Sequence, residues 1–379
     1  MFLHCNIRAR RAHVFPKTLR RNPTVSSLPP CGQRPRSEGW PTSGITQIVK
    51  QESDVIRKEK EAWFRHSKQI VRIVVLALVA WGIWRAVSQA RGEFARHAFA
   101  IWRVDPGWLV AGGTAYALGL APCWVFWQRT LRAMGQHPRW RDSLTAYWIG
   151  NLGKYVPGKA MVVVLRTGLV RGPQVDTTVA ATSVFVETLT FMAIGALVSA
   201  VILLVTSQNP LMLLLAVTLM VCAGVPTLPP VFRRVVRWLQ VHRANPDIDR
   251  AIGGLNPRLL VSGWASIAVG WLLLGVSLLA TLRAMPAAGI PVDVPWTDLP
   301  LLTASVGLAM VAGFLSLIPG GLGVRDWILM TLMVPRYGAA AAVVSAVLLR
   351  VVWMLCELLI SGILYVDRRW CRTDPDERP

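Results

Sequence analysis

Eight charged residues stand in or beside stretches that are otherwise apolar: Lys154, Lys159, Arg166, Glu187, Arg325, Asp326, Arg350 and Glu357. No Asp, Glu, Lys, Arg or His interrupts the chain between Asp105 and Arg129, between Glu187 and Arg233, between Arg258 and Arg283, or between Asp298 and Arg325. A helix needs roughly 20 apolar residues to cross a ~30 Å hydrocarbon core. A charge at that depth costs ~3 kcal/mol on insertion scales, so it normally faces a partner or water. Cations held there suit a phosphate or a carboxylate, and carboxylates among them suit the balancing role. The eight are therefore the candidate substrate-binding residues. No catalytic residue, metal site or cofactor is expected. Two uses remain open: a transport pathway, or static ion pairs holding a bundle together. A Glu187–Arg350 or an Arg166–Glu357 pairing is open to such charges, but the sequence does not determine which forms.

Four of the eight cluster at two interruptions. The first is Gly150-Asn151-Leu152-Gly153-Lys154-Tyr155-Val156-Pro157-Gly158-Lys159, inside apolar Leu144–Val170. The second is Ile318-Pro319-Gly320-Gly321-Leu322-Gly323-Val324-Arg325-Asp326, inside apolar Leu299–Val334. Gly and Pro stop one half-helix, and Pro can start the next. The free N–H groups at a half-helix start form a positive end that attracts anions. The competing reading is an interfacial loop with snorkelling lysines in the first case and a simple turn in the second. Gly321-x-Gly323 is no dinucleotide fingerprint, because no strand precedes it.

The elements that must position these residues are membrane helices. Uninterrupted spans are expected near Ile70–Ser88, Gly107–Trp127, Thr178–Val205, Leu211–Val225, Leu259–Leu282 and Ala339–Val366. Lys and Arg mark cytoplasmic loops. The loop with Arg129, Arg132, Arg139 and Arg141 and the loop with Arg233, Arg234, Arg237, Arg243 and Arg250 are basic, whereas Thr206–Pro210 and Ala284–Asp298 carry no cation. Alternating sides then leave no crossing for Leu144–Val170 or Leu299–Val334. Each should leave the membrane on the side it entered, the first from inside and the second from outside. Irregular backbone at membrane depth survives only when buried in protein or lining a wet cavity. The fold expected is an all-α integral membrane protein of about six transmembrane helices plus two Pro/Gly-broken re-entrant segments. Both breaks carry Pro-Gly, then an Arg, then a Glu in a later span, which suggests an inverted repeat.

Composition agrees. The 379 residues are 53% hydrophobic and 16% charged, with 41 Lys/Arg against 20 Asp/Glu, a net charge of +21. A nucleic-acid binder explains the charge but not the apolar bulk, so no nucleic-acid partner is expected. Residues 1–69 hold 14 Lys/Arg and 5 Asp/Glu and many prolines, and read as a basic, largely disordered cytoplasmic N-terminus. Residues 70–366 form the polytopic domain and 367–379 a short cytoplasmic tail. The six Cys show no CxxC spacing, no His falls in an expected span, and no Walker-type loop is present.

The stretches Asn151–Lys159, Phe314–Asp326 and Leu349-Arg350 with Glu357 resemble the transmembrane, flippase-like region of lysylphosphatidylglycerol synthetases. The resemblance covers about residues 65–367. In that family the glycine-rich motif usually ends Arg-Glu, and here it ends Arg325-Asp326. The resemblance implies movement of an anionic phospholipid or lipid-linked cell-envelope intermediate between leaflets of the inner membrane. It also implies partners among anionic membrane lipids and a glycosyltransferase or other envelope-pathway enzyme. The full synthetase carries a soluble aminoacyl-transfer domain. Only Asp367–Pro379 follows the last span here, so that activity is not expected and the chain reads as no enzyme. Two alternatives stand. One is a membrane-bound glycosyltransferase-like enzyme, hooked on Asp247-Ile248-Asp249 as a metal site beside a diphosphate. The other is an accessory scaffold subunit.

Overall fold

The computed structural model describes residues 103–155, 160–170, 172, 174–206, 210–238, 245–286, 290, 292–316 and 323–373, together with the helical residues Trp81, Trp84, Ser88 and Gly92. The expected first span, near Ile70–Ser88, otherwise lies outside the described residues, as do the N-terminal region before it, Pro157, Lys159 and Pro319. The described residues form ten α-helices and no strand. These are α1 (Pro106–Ala133), α2 (Trp140–Asn151), α3 (Ala160–Val170), α4 (Thr177–Thr206), α5 (Pro210–Gly224), α6 (Pro229–Trp238), α7 (Ile248–Gly253), α8 (Pro257–Arg283), α9 (Leu299–Leu315) and α10 (Val324–Thr373). Six helical stretches are long and apolar enough to cross a membrane, with mean hydropathy from 1.5 to 2.5. The chain is a multi-pass, all-α membrane protein.

Antiparallel α1 and α8 form its spine. Each starts with a cap and a proline: Asp105 accepts from the Gly107 N–H at 2.8 Å, and Asn256 from the Leu259 N–H at 2.7 Å. Proline at the first helical position costs nothing, because that N–H has no helical partner. The two backbones touch at Gly119 and Gly270. A Cβ on Gly270 would stand 2.5 Å from the Gly119 carbonyl oxygen. In lipid, helix association depends on close packing rather than on expelling water, and small residues permit it. Beside the spine, Trp271 of α8 stacks on Phe191 of α4 at 4.3 Å and donates to its carbonyl at 3.0 Å.

The two broken segments are hairpins. The first is α2, a 3₁₀ turn over Leu152–Tyr155, and α3. One side chain marks where its legs close: Arg368 reaches the Leu169 carbonyl at 3.2 Å and the Asp142 carboxylate at 3.5 Å. At the other end Gly153 lies against the Met161–Val162 backbone, where a Cβ would come within 2.8 Å. The second hairpin is α9 and the first part of α10. By length, Trp296–Leu315 could cross a bilayer. The chain nevertheless returns to where α9 began, since Arg336 Nε and the Tyr337 hydroxyl both donate to Asp298 Oδ2, at 3.0 and 2.7 Å. Gly338, at φ +79° and ψ 165°, then reverses the chain. Residues 339–373 run back beside residues 324–337 as the last span. The expected last span is thus part of a longer helical stretch that begins at Val324.

The hairpins close at opposite ends of that last span, one at Gly338 and one at Arg368. Thirty residues at 1.5 Å each separate these ends by about 45 Å. The broken segments therefore enter the bundle from opposite ends, as an inverted arrangement requires.

Candidate functional site: two charged clusters between the hairpins

The first cluster lies at the root of the first hairpin. Arg166 of α3 donates from Nη1 to Glu187 Oε2 of α4 at 2.6 Å and from Nη2 to Asn151 Oδ1 at 2.8 Å. Both charged side chains are 4% exposed. The guanidinium lies 4.0 Å over the Tyr147 ring and 5.5 Å from that of Trp127. Tyr147 donates to Glu187 Oε1 at 3.3 Å. Gly150 makes room for the arginine stem, since a Cβ there would lie 2.3 Å from Arg166 Cγ. This is a paired, aromatic-lined structure, in which Arg166 Nε is buried without a hydrogen-bond partner. It joins α3 to α4 and fixes Asn151, the last residue of α2, just before the turn that carries Lys154.

The second cluster lies where the hairpin tips meet the last span. Glu357 is fully buried. Its Oε1 accepts from Lys154 Nζ at 2.6 Å and from the Tyr116 hydroxyl. Lys154 also donates to the Tyr116 oxygen at 3.2 Å and lies 5.2 Å over the Tyr155 ring. Tyr155 is within electrostatic reach of Glu357, Arg325 and Arg350. One turn before Glu357, Trp353 stacks on Tyr116 at 4.6 Å. Its indole N–H donates at 2.9 Å to Ser277, whose hydroxyl donates at 2.8 Å to the Gly112 carbonyl. Trp353 is thereby tied to both helices of the spine. Arg325, from the second tip, places its guanidinium 5.1 Å over the Trp353 ring. Arg350 pairs with Asp326 at 2.8 Å, each twelve residues from the reversal at Gly338. Along the last span, Arg350 stands about 18 Å from Gly338, and Glu357 about 16 Å from Arg368. Both lie well inside the bundle.

Neither of the two pairings left open by the sequence forms. Glu187 holds Arg166 rather than Arg350, and Glu357 holds Lys154 rather than Arg166. The reason is the hairpin fold, which brings α3 against α4 and the first tip against the last span. The chemical likeness of the two breaks also stops at the tips. Arg166 and Glu187 bond directly, whereas Arg325 has no carboxylate partner among the described residues.

That leaves a particular imbalance. Among the described residues, Lys154, Arg325 and Arg350 face only Asp326 and Glu357. Arg325 Nε and Nη2 are buried without a hydrogen-bond partner, as is Glu357 Oε2. Nε and Nη2 form one edge of the guanidinium, the edge that takes two oxygens of a phosphate or carboxylate side by side.

Tyr116, Tyr147, Tyr155 and Trp353 are the members that the sequence reading passed over. A signal existed. The chain has only five tyrosines, and three stand in these clusters, while a fourth, Tyr337, bonds Asp298. Asp247 and Asp249, the hook for a metal-dependent enzyme, lie at α7 near the chain surface, where Asp247 approaches Arg250 at 3.4 Å. No group of three or more His, Cys, Asp or Glu is arranged for a metal among the described residues.

No individually curated protein matches the chain. The profile of the lysylphosphatidylglycerol synthase transmembrane region matches residues 69–360, which include both hairpins and both clusters, and the chain belongs to that family.

Proposed function

We propose that the protein moves an anionic phospholipid, or a lipid-linked envelope intermediate, between the leaflets of the inner membrane, with both chain ends on the cytoplasmic side. It acts as a transporter and not as an enzyme, working beside enzymes that make or consume the lipid. One observation carries this reading: the unpartnered edge of Arg325 inside the bundle, in a group with one cation more than its carboxylates. A buried donor without an acceptor costs free energy. A phosphate accepting from both Nε and Nη2 would remove that cost and balance the charge. The hairpins support the same reading, because tips approaching from opposite ends of the bundle give a head group access from either leaflet.

The test is leaflet exchange of a fluorescent anionic phospholipid in liposomes containing the purified protein. Wild type should accelerate exchange, and Arg325→Ala should abolish the acceleration with helical content unchanged. Arg325→Lys should restore little of it, since an ammonium cannot present two parallel donors. Full exchange by Arg325→Ala would refute the proposal.

A further inference from the structure

Ser361 and Arg368 stand four and eleven positions after Glu357, so the three share one face of the last span. That face meets the first hairpin. Lys154 of the tip bonds Glu357, and the Leu169 carbonyl and Asp142 at the root take Arg368. Ser361 lies between them, 5% exposed, and its hydroxyl has no hydrogen-bond partner. A serine or threonine inside a helix commonly donates back to its own backbone, as Thr167, Thr190 and Ser199 do here. One turn further from Arg368, Glu357 Oε2 is also buried without a partner.

Lys154 is the cation that balances Glu357. It sits on a four-residue turn with its side chain 38% exposed, against full burial of the carboxylate. Among the described residues, no other group facing Glu357 replaces it. Tyr116, Tyr155 and Cys356 carry no positive charge, Arg350 is held by Asp326 at 2.8 Å, and Arg325 lies over Trp353. A tip that moves to admit a lipid takes Lys154 with it and leaves a buried carboxylate alone. Burial disfavours that charged form, and a proton removes the charge. We infer that Glu357 is a proton-binding site, reached from the Arg368 end past Ser361, at which a proton and the Lys154 ammonium are alternative partners. This rests on the transport reading above and adds a second transported species. In the step, a hydronium ion gives its proton to Oε2, one O–H bond forms, and water is left. Lys154 keeps its own protons. The site thus loses one positive and one negative charge together. Arg325 and Arg350 against Asp326 keep the same excess of one cation for a phosphate. The proton therefore accompanies the anionic lipid and moves in the same direction.

The first experiment reads the proton without transport, by infrared spectra of the purified protein at neutral pH. Lys154→Met should show the C=O stretch of a protonated carboxyl that wild type lacks, and Lys154→Met/Glu357→Gln should lose it. Absence of the band from Lys154→Met would overturn the inference, and its persistence in the double variant would overturn the assignment to Glu357. Adding Ser361→Ala to Lys154→Met should slow the growth of the band after a drop in pH; an unchanged rate would overturn the route. The second experiment uses wild type in liposomes with a fluorescent anionic phospholipid. A gradient of about one pH unit should enrich the lipid about tenfold in the leaflet facing the alkaline side, the limit for one proton per lipid. Accelerated exchange with an equal final distribution would overturn the coupling and leave the transport reading intact. No acceleration with or without the gradient would instead remove the transport reading itself.

Discussion

Replacing Glu187 by Gln should destabilise the bundle by about 3–5 kcal/mol, the cost of removing one partner from a buried ion pair. The Arg166 and Glu187 side chains are 4% exposed and meet at 2.6 Å. After the change the guanidinium keeps its bond to Asn151 and its place over the Tyr147 ring, but no carboxylate balances it. Insertion scales put an unbalanced arginine at the centre of a membrane helix at ~3 kcal/mol, which agrees with the lower figure. Arg166→Met should cost a similar amount, because Glu187 then keeps only Tyr147 and Thr188, each at 3.3 Å. The combined Arg166→Met/Glu187→Gln protein should be less destabilised than the sum, and closer to wild type than either single variant, since no buried charge is left alone. The assay is reversible unfolding by a denaturing detergent in mixed micelles, run as a double-mutant cycle. A loss below 1 kcal/mol for Glu187→Gln would refute the reasoning. Simple additivity in the double variant would do the same, because it would mean that the two charges do not act on each other.

Three further outcomes are expected. Gly270→Val should separate α1 from α8 and lower the thermal unfolding temperature, because even a Cβ would lie 2.5 Å from the Gly119 carbonyl, whereas Gly113→Ala, with nothing nearer than Val352 Cγ1 at 3.8 Å, should leave it nearly unchanged. Gly338→Ala should cost about 1–3 kcal/mol, since φ +79° with ψ 165° is a backbone region almost confined to glycine; the spacing of spin labels on residues 330 and 345 should change with it. Stability should also fall as the medium is acidified, in part through Asp176. Its burial pushes the carboxyl pKa up, but the N–H groups of Val179 and Thr178 and the Asn245 amide outweigh this and hold it below the usual range. A lowered folded pKa contributes stability that is present above the unfolded value, near ~4, and is lost as pH falls through the folded value. Unfolding measured from pH 6 to pH 3 should therefore show a shallower loss for Asp176→Asn than for wild type.

Much of the architecture was legible from the spacing of charges. Apolar runs longer than the bilayer requires named the helices, and the cation bias between loops left two segments with no crossing to make. Those segments are the two hairpins. The sequence also marked Lys154, Arg166, Glu187, Arg325, Asp326, Arg350 and Glu357 as the charges needing partners, because the cost of burying a charge depends on its surroundings being apolar, and that is written locally. Lys159, the eighth, lies outside the described residues.

Partnership was not written there. Lys154 and Glu357 are far apart along the chain, and Asp326 with Arg350 becomes a pair only because Gly338 reverses the backbone midway between them. The aromatic members, Tyr116, Tyr155 and Trp353, look like ordinary interface or core residues in a linear reading, since ring stacking depends on which helices meet. The sequence by itself determined that charges would lie inside a membrane bundle, because periodicity and composition are local properties. Only the tertiary structure decided which charges cancel and that Arg325 has no carboxylate partner among the described residues, because that balance is a sum over side chains brought together by folding.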